Sequence, residues 1–213
     1  MFRRWLDDAE RQAFAHAVSY VESLSAVELA VTVRRRSRDW VHVPLVAAAI
    51  AAWATLAIML FSAPAFPLWS FLVDPFVIGT AVGWTAGLAP SLIRWTTTPA
   101  ARRRAVTASA NGAFVERRVH ATRGRTGVLV YCALGERMAA VVVDTAVAAA
   151  VTPSRLTSWR DQIEGAMSRG GVPTADAIAA MAPVFAAVLP RLHDDVNELA
   201  DEVELEIGQK GRL

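Results

Sequence analysis

The hydrophobic positions of this chain follow three rhythms. Behind an opening Leu6-Asp7-Asp8-Ala9-Glu10, whose acids suit a helix N-terminus, Phe14, Val18, Val21 and either Leu24 or Ser25 recur at helical spacing. From Val27 to Val33 apolar positions alternate among β-branched residues, which predicts a strand. From Val41 to Phe61 the alternation gives way to an apolar run without Asp, Glu, Lys or Arg. Ser62-Ala63-Pro64-Ala65-Phe66-Pro67 breaks that run with two prolines. A second apolar run extends from Leu68 to Ile93, interrupted only by Asp74-Pro75. As helices, both runs are long enough to cross a hydrocarbon core of about 30 Å.

The remainder returns to the periodicities of a compact domain. After Pro99 a helix is predicted through Arg102–His120, with Val106, Ala110, Ala113 and Phe114 as its buried stripe. Val128–Leu134 and Met138–Asp144 read as antiparallel strands around the turn Gly135-Glu136-Arg137. Thr152-Pro153 opens a helix with the stripe Leu156, Trp159, Ile163 and Met167, stopped by Gly170-Gly171. Pro173 opens a last helix carrying Ile178, Met181, Phe185, Val188 and Leu192, kinked by Pro183. The tail from His193 is acidic and then polar, and is expected to fray.

The fold class expected from this order is α/β: a mixed three- to four-stranded sheet flanked by helices on both faces, with an inserted two-span transmembrane α-hairpin. A helical crossover between the first two strands favours their parallel pairing. The expected organisation is residues 1–39 and 96–204 as two parts of one α/β domain, and 40–95 as the membrane hairpin. The spans are placed at about 41–61 and 70–93, and 205–213 as a flexible tail.

Charge adds an orientation. The net charge is only +2, from 22 Lys+Arg against 20 Asp+Glu, so what matters is where the arginines lie. Arg34, Arg35, Arg36 and Arg38 precede the first run, Arg94, Arg102, Arg103 and Arg104 follow the second, and the connecting loop carries no basic residue. The positive-inside rule therefore predicts both termini in the cytoplasm. Because Lys210 is the only lysine in an Arg/Ala/Val-rich chain of bacterial character, the expected location is a bacterial inner (plasma) membrane. Trp40, Trp69 and Trp95 fall near the expected interfaces. Asp74 is the intramembrane acidic residue, expected near the far interface. Gly79, Gly83 and Gly87 form a small-residue ridge suited to packing against the first span, with dimerisation as the alternative.

Several of these pieces together resemble the TPM domain family. They are Leu6–Glu10, Val27–Val33, Phe114 with Thr122-Arg123-Gly124-Arg125-Thr126-Gly127 and Val128–Tyr131, Glu136-Arg137, Asp144, Leu189-Pro190, and Asn197–Val203. The resemblance covers most of residues 5–39 and 100–204, with the hairpin as an insertion. The chain departs from the family at Ala146, where a glycine is usual, and at Ala200, where a proline is usual. The resemblance implies an auxiliary role beside other membrane proteins or, from plant relatives, an acid phosphatase activity with calcium as a ligand.

Candidate chemistry is sparse. Asp144, at the end of a buried strand, is the one metal-ligand candidate, with Glu136, Asp161 and Glu164 as the nearest acids in sequence. No residue is assigned as catalytic. Cys132, the single cysteine, reads as a buried, inert thiol, which excludes an intramolecular disulfide. His16, His42, His120 and His193 are scattered. Arg117, Arg118, Arg123 and Arg125 suit a solvated face or anionic lipid headgroups. They lack the interleaved aromatics of a nucleic-acid surface. The expected partners are the lipid bilayer and a protein within it, and nucleic acid is not expected. The function read from the sequence is a membrane-tethered interaction or auxiliary module, with a calcium-dependent, phosphatase-like hydrolase as the alternative.

Overall fold

A computed structural model describes residues 7–37, 40–191 and 204–206. The chain divides into two compact units, one from residues 1–37 and 102–213, the other from Arg38–Ala101.

The first unit is an α/β fold. Helix α1 (Asp8–Leu24) starts behind Asp7 with Asp8 and Glu10 in its first turn, and buries Phe14, Ala17, Val18 and Val21. Strand β1 (Glu28–Arg34) follows. Strand β2 (Gly127–Ala133) pairs parallel to it, from Glu28 opposite Gly127 to Arg34 opposite Ala133. Strand β3 (Met138–Val143) returns antiparallel to β2 through a turn in which Arg137 adopts a left-handed φ of 54°. These three strands make the expected mixed sheet.

A fourth strand departs from the expectation of a frayed tail. Glu204–Glu206 pairs parallel to β1 at Thr32–Arg34, giving the order β3-β2-β1-β4, with β4 as that segment. Without it, the outer edge of β1 would present unpaired backbone groups there.

Alternation along each strand sends side chains to two cores. On one face Leu29, Val31, Val33, Val128, Val130 and Cys132 pack with α1 and with helices nearer the C-terminus. On the other, Ala30, Leu129, Tyr131, Ala133 and Ala140 pack beneath Val106, Ala110 and Ala113. Those last residues belong to a helix over Pro99–Glu116, which ends earlier than expected. Arg118, at φ 54°, turns the chain into a short 3-10 segment over Val119–Ala121. Gly127 is required beneath that segment, because a Cβ there would lie 2.0 Å from the carbonyl oxygen of Val119.

Two further differences lie toward the C-terminus. An unpredicted short helix, Thr145–Ala150, follows β3 directly, started by Asp144 as its N-cap. The last predicted helix is interrupted near Pro183. Gly171–Ala179 and Ala182–Val188 are separate segments joined by Ala180 and Met181, which keep right-handed helical φ and ψ. Pro183 has no N–H to donate to the Ala179 carbonyl, so the hydrogen-bond ladder is interrupted there. Between them and the short helix lies Pro153–Met167, which buries Trp159 and Ile163. The Trp159 ring sits 4.9 Å from that of Phe185.

The second unit is built on two long helices. In chain order the helices are α1; α2 (His42–Phe61); α3 (Ser70–Leu88); α4 (Pro90–Thr96); α5 (Pro99–Glu116); α6 (Thr145–Ala150); α7 (Pro153–Met167); α8 (Gly171–Ala179); and α9 (Ala182–Val188). The second apolar run stops at Leu88 rather than Ile93. Ala89 is extended before Pro90, which cannot continue the hydrogen-bond ladder and opens α4 instead. Helices α2 and α3 pack antiparallel along the glycine ridge. A Cβ at Gly79 would meet the Ala48 carbonyl oxygen at 2.9 Å, and one at Gly83 the Pro44 carbonyl oxygen at 2.9 Å.

Three stretches are long and apolar enough to cross a membrane by length and composition: His42–Phe61, Ser70–Leu88 and Gly171–Val188. The third belongs to the α/β unit and buries Ala175, Ile178, Met181 and Phe185 in its core.

Candidate functional site

Asp144 leaves the end of β3 and starts α6. Its backbone N–H donates to the Gly127 carbonyl at 2.9 Å, its carbonyl accepts from Ala148 N–H at 2.8 Å, and its Oδ1 accepts from Thr145 N–H at 2.6 Å. Asp144 is only 6% exposed. Its Oδ2 makes no hydrogen bond and lies 3.8 Å from Nη1 of Arg125. Arg125 adopts a left-handed φ of 53° and donates from Nη1 to the His120 carbonyl at 3.1 Å. Its own carbonyl accepts from Ala146 N–H at 3.2 Å. The Asp144 carboxylate is thus a buried helix cap facing the exposed guanidinium of Arg125.

This arrangement does not fit calcium, which takes about six to eight oxygen ligands. Each acid near Asp144 in sequence is engaged elsewhere. Glu136 is 2% exposed and accepts from the backbone N–H of Ser37 at 3.1 Å and from its hydroxyl at 2.8 Å. Asp161 pairs with Arg160 at 2.8 Å. Glu164 binds Arg103 and accepts from Ala139 N–H at 2.9 Å. Among the described residues, no three His, Cys, Asp or Glu side chains come together in a way that could hold a metal ion.

The predicted basic residues separate into different roles. Arg103 belongs to the α/β unit and is held by Glu164, a hydrogen bond that raises its pKa above the ordinary value against the opposing effect of burial. Arg34 ends β1, 3.9 Å from Glu116, and Arg35 and Arg36 follow it. The carbonyls of Arg34 and Arg35 accept from Leu134 and Gly135 N–H. Arg94 is in the last turn of α4, and Arg102 and Arg104 are in α5. Arg38 lies outside the described residues, as do His193 and the Asn197–Val203 segment.

The second basic group also divides. Arg117 donates to the Val31 carbonyl at 3.0 Å and to the Thr32 hydroxyl at 2.9 Å, while Arg118 and Arg123 are exposed. Asp74 lies in the first two turns of α3 and is half-buried.

Among the described residues the histidines stay apart. His16 stacks on Tyr20 at 6.3 Å, His42 meets Trp40 edge-on at 5.6 Å, and His120 lies 6.2 Å from Phe114. Cys132 is fully buried, and desolvation pushes its thiol up to about 12, the opposite of an activated nucleophile. An open groove of about 670 Å³, lined by Gln162, Arg169 and Asp176, shares no residue with the surroundings of Asp144.

Sequence reading missed the contacts that order these groups. Arg103 and Glu164 are 61 positions apart, and Ser37 and Glu136 are 99 apart. No local pattern announces such partners.

No family model and no curated protein matches the chain. Its fold is similar to the NMR structure of the BA42 protein from the psychrophilic bacterium Bizionia argentinensis. The TM-score is 0.57 and the identity 14%, over 94% of this chain and 95% of that one. At that identity the likeness is one of fold alone.

Proposed function

We propose that this chain is a membrane-tethered, TPM-like α/β domain that acts as an interaction or auxiliary module for another membrane protein. Its helices α2 and α3 form a two-span hairpin in the inner membrane, with both termini in the cytoplasm. One observation carries the reading. Along α2 and α3 large apolar side chains stand exposed, from Leu45 and Ile50 to Leu72 and Val77, and only 11% and 17% of the two apolar windows are buried. A water-facing surface of that size is unstable, whereas in lipid it is the expected exterior. The asymmetric arginines favour the orientation. The module reading, rather than catalysis, is supported by Asp144 serving as a cap.

Thiol accessibility tests the topology, because buried Cys132 gives little background. Ala65→Cys, between the spans, should react with an impermeant maleimide in intact cells. Ser154→Cys, in α7, should react only after permeabilisation. The reverse pattern overturns the orientation, and release of the protein from membranes by alkaline washing overturns the tether. Photo-crosslinking in native membranes should capture the same partner in independent preparations, and no recurring partner would remove the module reading.

A further inference from the structure

Trp53 is out of place if α2 and α3 span a bilayer, and the interface inferred from it rests on that membrane-tethered reading. Tryptophan suits the membrane–water boundary, where its ring is apolar and its N–H is hydrated. Trp53 is elsewhere. In α2, which runs from His42 to Phe61, it lies within about 2 Å of the helix midpoint at 1.5 Å per residue. It is 73% exposed and has no hydrogen-bond partner among the described residues. In hydrocarbon its indole N–H has no acceptor, and leaving it unsatisfied is costly.

The geometry of the helix pair supplies the acceptor on a second copy. Gly79 of α3 lies over Ala48 and Ala52 of α2, and Gly83 over Pro44 and Ala48. That register puts Thr80 at about the depth of Ala49. The Trp53 ring leans toward the N-terminus of α2, as helical side chains do, and so toward the same depth.

At 100° per residue, Ala49, Trp53, Leu56 and Leu60 share one flank of α2, and Phe76, Thr80 and Trp84 one flank of α3. Both flanks lie in the same rotational sense from the glycine seam, so antiparallel right-handed helices present them on one side of the pair. That side carries Trp53, Phe76 and Trp84, each more than 70% exposed. Thr80 donates its own proton to the Phe76 carbonyl at 2.7 Å, which leaves its oxygen an acceptor.

We infer that this face binds the same face of a second copy, with the indole N–H of Trp53 in each donating to Thr80 Oγ1 of the other. A two-fold axis along the membrane normal keeps both groups at equal depth, so one interface satisfies both donors. The glycine ridge is already used within the chain, so it does not compete for this contact. The opposite flank, with Ala47, Ala51, Ala54 and Ile58 of α2, offers no such donor.

The test is energy transfer between donor- and acceptor-labelled full-length chains in phosphatidylcholine vesicles, followed as lipid dilutes the protein. The label is placed at Ala65→Cys, away from the face. Wild type should associate reversibly. Trp53→Phe removes the N–H together with the pyrrole ring that carries it, Thr80→Val removes the hydroxyl acceptor, and each should weaken association roughly threefold to tenfold. The double variant should weaken no further than either single one, whereas Ile58→Ala on the opposite flank should leave association unchanged.

Monomers at every dilution would overturn the proposal, as would a Trp53→Phe chain that associates like wild type or additive losses in the double variant. Loss of the chain from the vesicles on alkaline washing would instead overturn the membrane reading itself, and the two failures are separately visible.

Discussion

Arg103 and Glu164 close around the outer edge of β3 at a single residue, Ala139. Glu164 accepts from the Ala139 N–H at 2.9 Å, Arg103 donates to the Ala139 carbonyl at 3.3 Å, and the two side chains bind each other through both arms. Since β3 is an edge strand, its outward backbone groups would otherwise be available to another chain. The pair also bridges α5 and α7, which cover opposite faces of the sheet.

Glu164→Ala should therefore cost about 2–3 kcal/mol, because it strips a partner from a buried N–H and from a partly buried guanidinium. Glu164→Gln keeps an acceptor for Ala139 and should lose less. Thermal melts of the detergent-solubilised chain check the order. Equal losses in the two variants would mean that the charge alone matters.

The glycines divide into those that are packed and those that are not. Gly79→Ala and Gly83→Ala would set a Cβ 2.9 Å from the carbonyl oxygens of Ala48 and Pro44, and backbone cannot yield as a side-chain tip does. Each should destabilise by about 1–3 kcal/mol. Gly112→Ala and Gly165→Ala meet nothing within 4 Å and sit inside α5 and α7, so each should stabilise by about 0.5–1 kcal/mol. Melting temperatures of the four variants should fall on opposite sides of wild type.

How far the sequence reached depends on the range of the interaction. The elements were legible because their signals are local: the alternation of Val27–Val33, the length of the apolar runs, and the turn at Gly135-Glu136-Arg137. The parallel pairing of β1 with β2 followed from the intervening crossover. Boundaries moved at prolines, where Ala89 is extended before Pro90 and where Pro183 lacks a donor for the helix ladder. β4 was missed although Glu202-Val203-Glu204-Leu205-Glu206-Ile207 alternates polar and apolar positions, because its acids made the segment read as a solvated tail; Glu204–Glu206 pairs with the edge of β1. At the candidate site, Asp144 was found by its place at a strand end. The identity of its neighbour, Arg125, depends on a left-handed backbone that the sequence does not mark.

Asp144 should behave as a cap rather than a metal ligand. Asp144→Asn keeps an oxygen for the Thr145 N–H and should cost under about 1 kcal/mol, whereas Asp144→Ala loses the cap and should cost about 1–2 kcal/mol. Millimolar calcium should leave the melting temperature of wild type unchanged. A site at 100 times its dissociation constant would instead add about 2.7 kcal/mol. A calcium shift that Asp144→Asn abolishes would establish the metal site that the side-chain arrangement argues against.

Cys132 provides a pH dependence with a definite sign. Desolvation, helped by the charge of Glu164, raises its thiol from an ordinary 9.0 to about 12. Between those values the unfolded chain has released the proton and the folded chain still holds it. The unfolded state therefore binds fewer protons, and stability falls as pH rises. The contribution is intact below about pH 9 and declines above it at up to about 1.4 kcal/mol per pH unit. Cys132→Ala removes the group and should flatten that part of the profile, at the cost of a small cavity of about 1 kcal/mol at neutral pH. Melts of both chains at pH 8 and pH 10.5 measure the difference, with tyrosine and arginine titrations common to both and so cancelling. Parallel profiles would mean that the thiol ionises in the folded chain, and that the sheet around it opens more readily than its complete burial indicates.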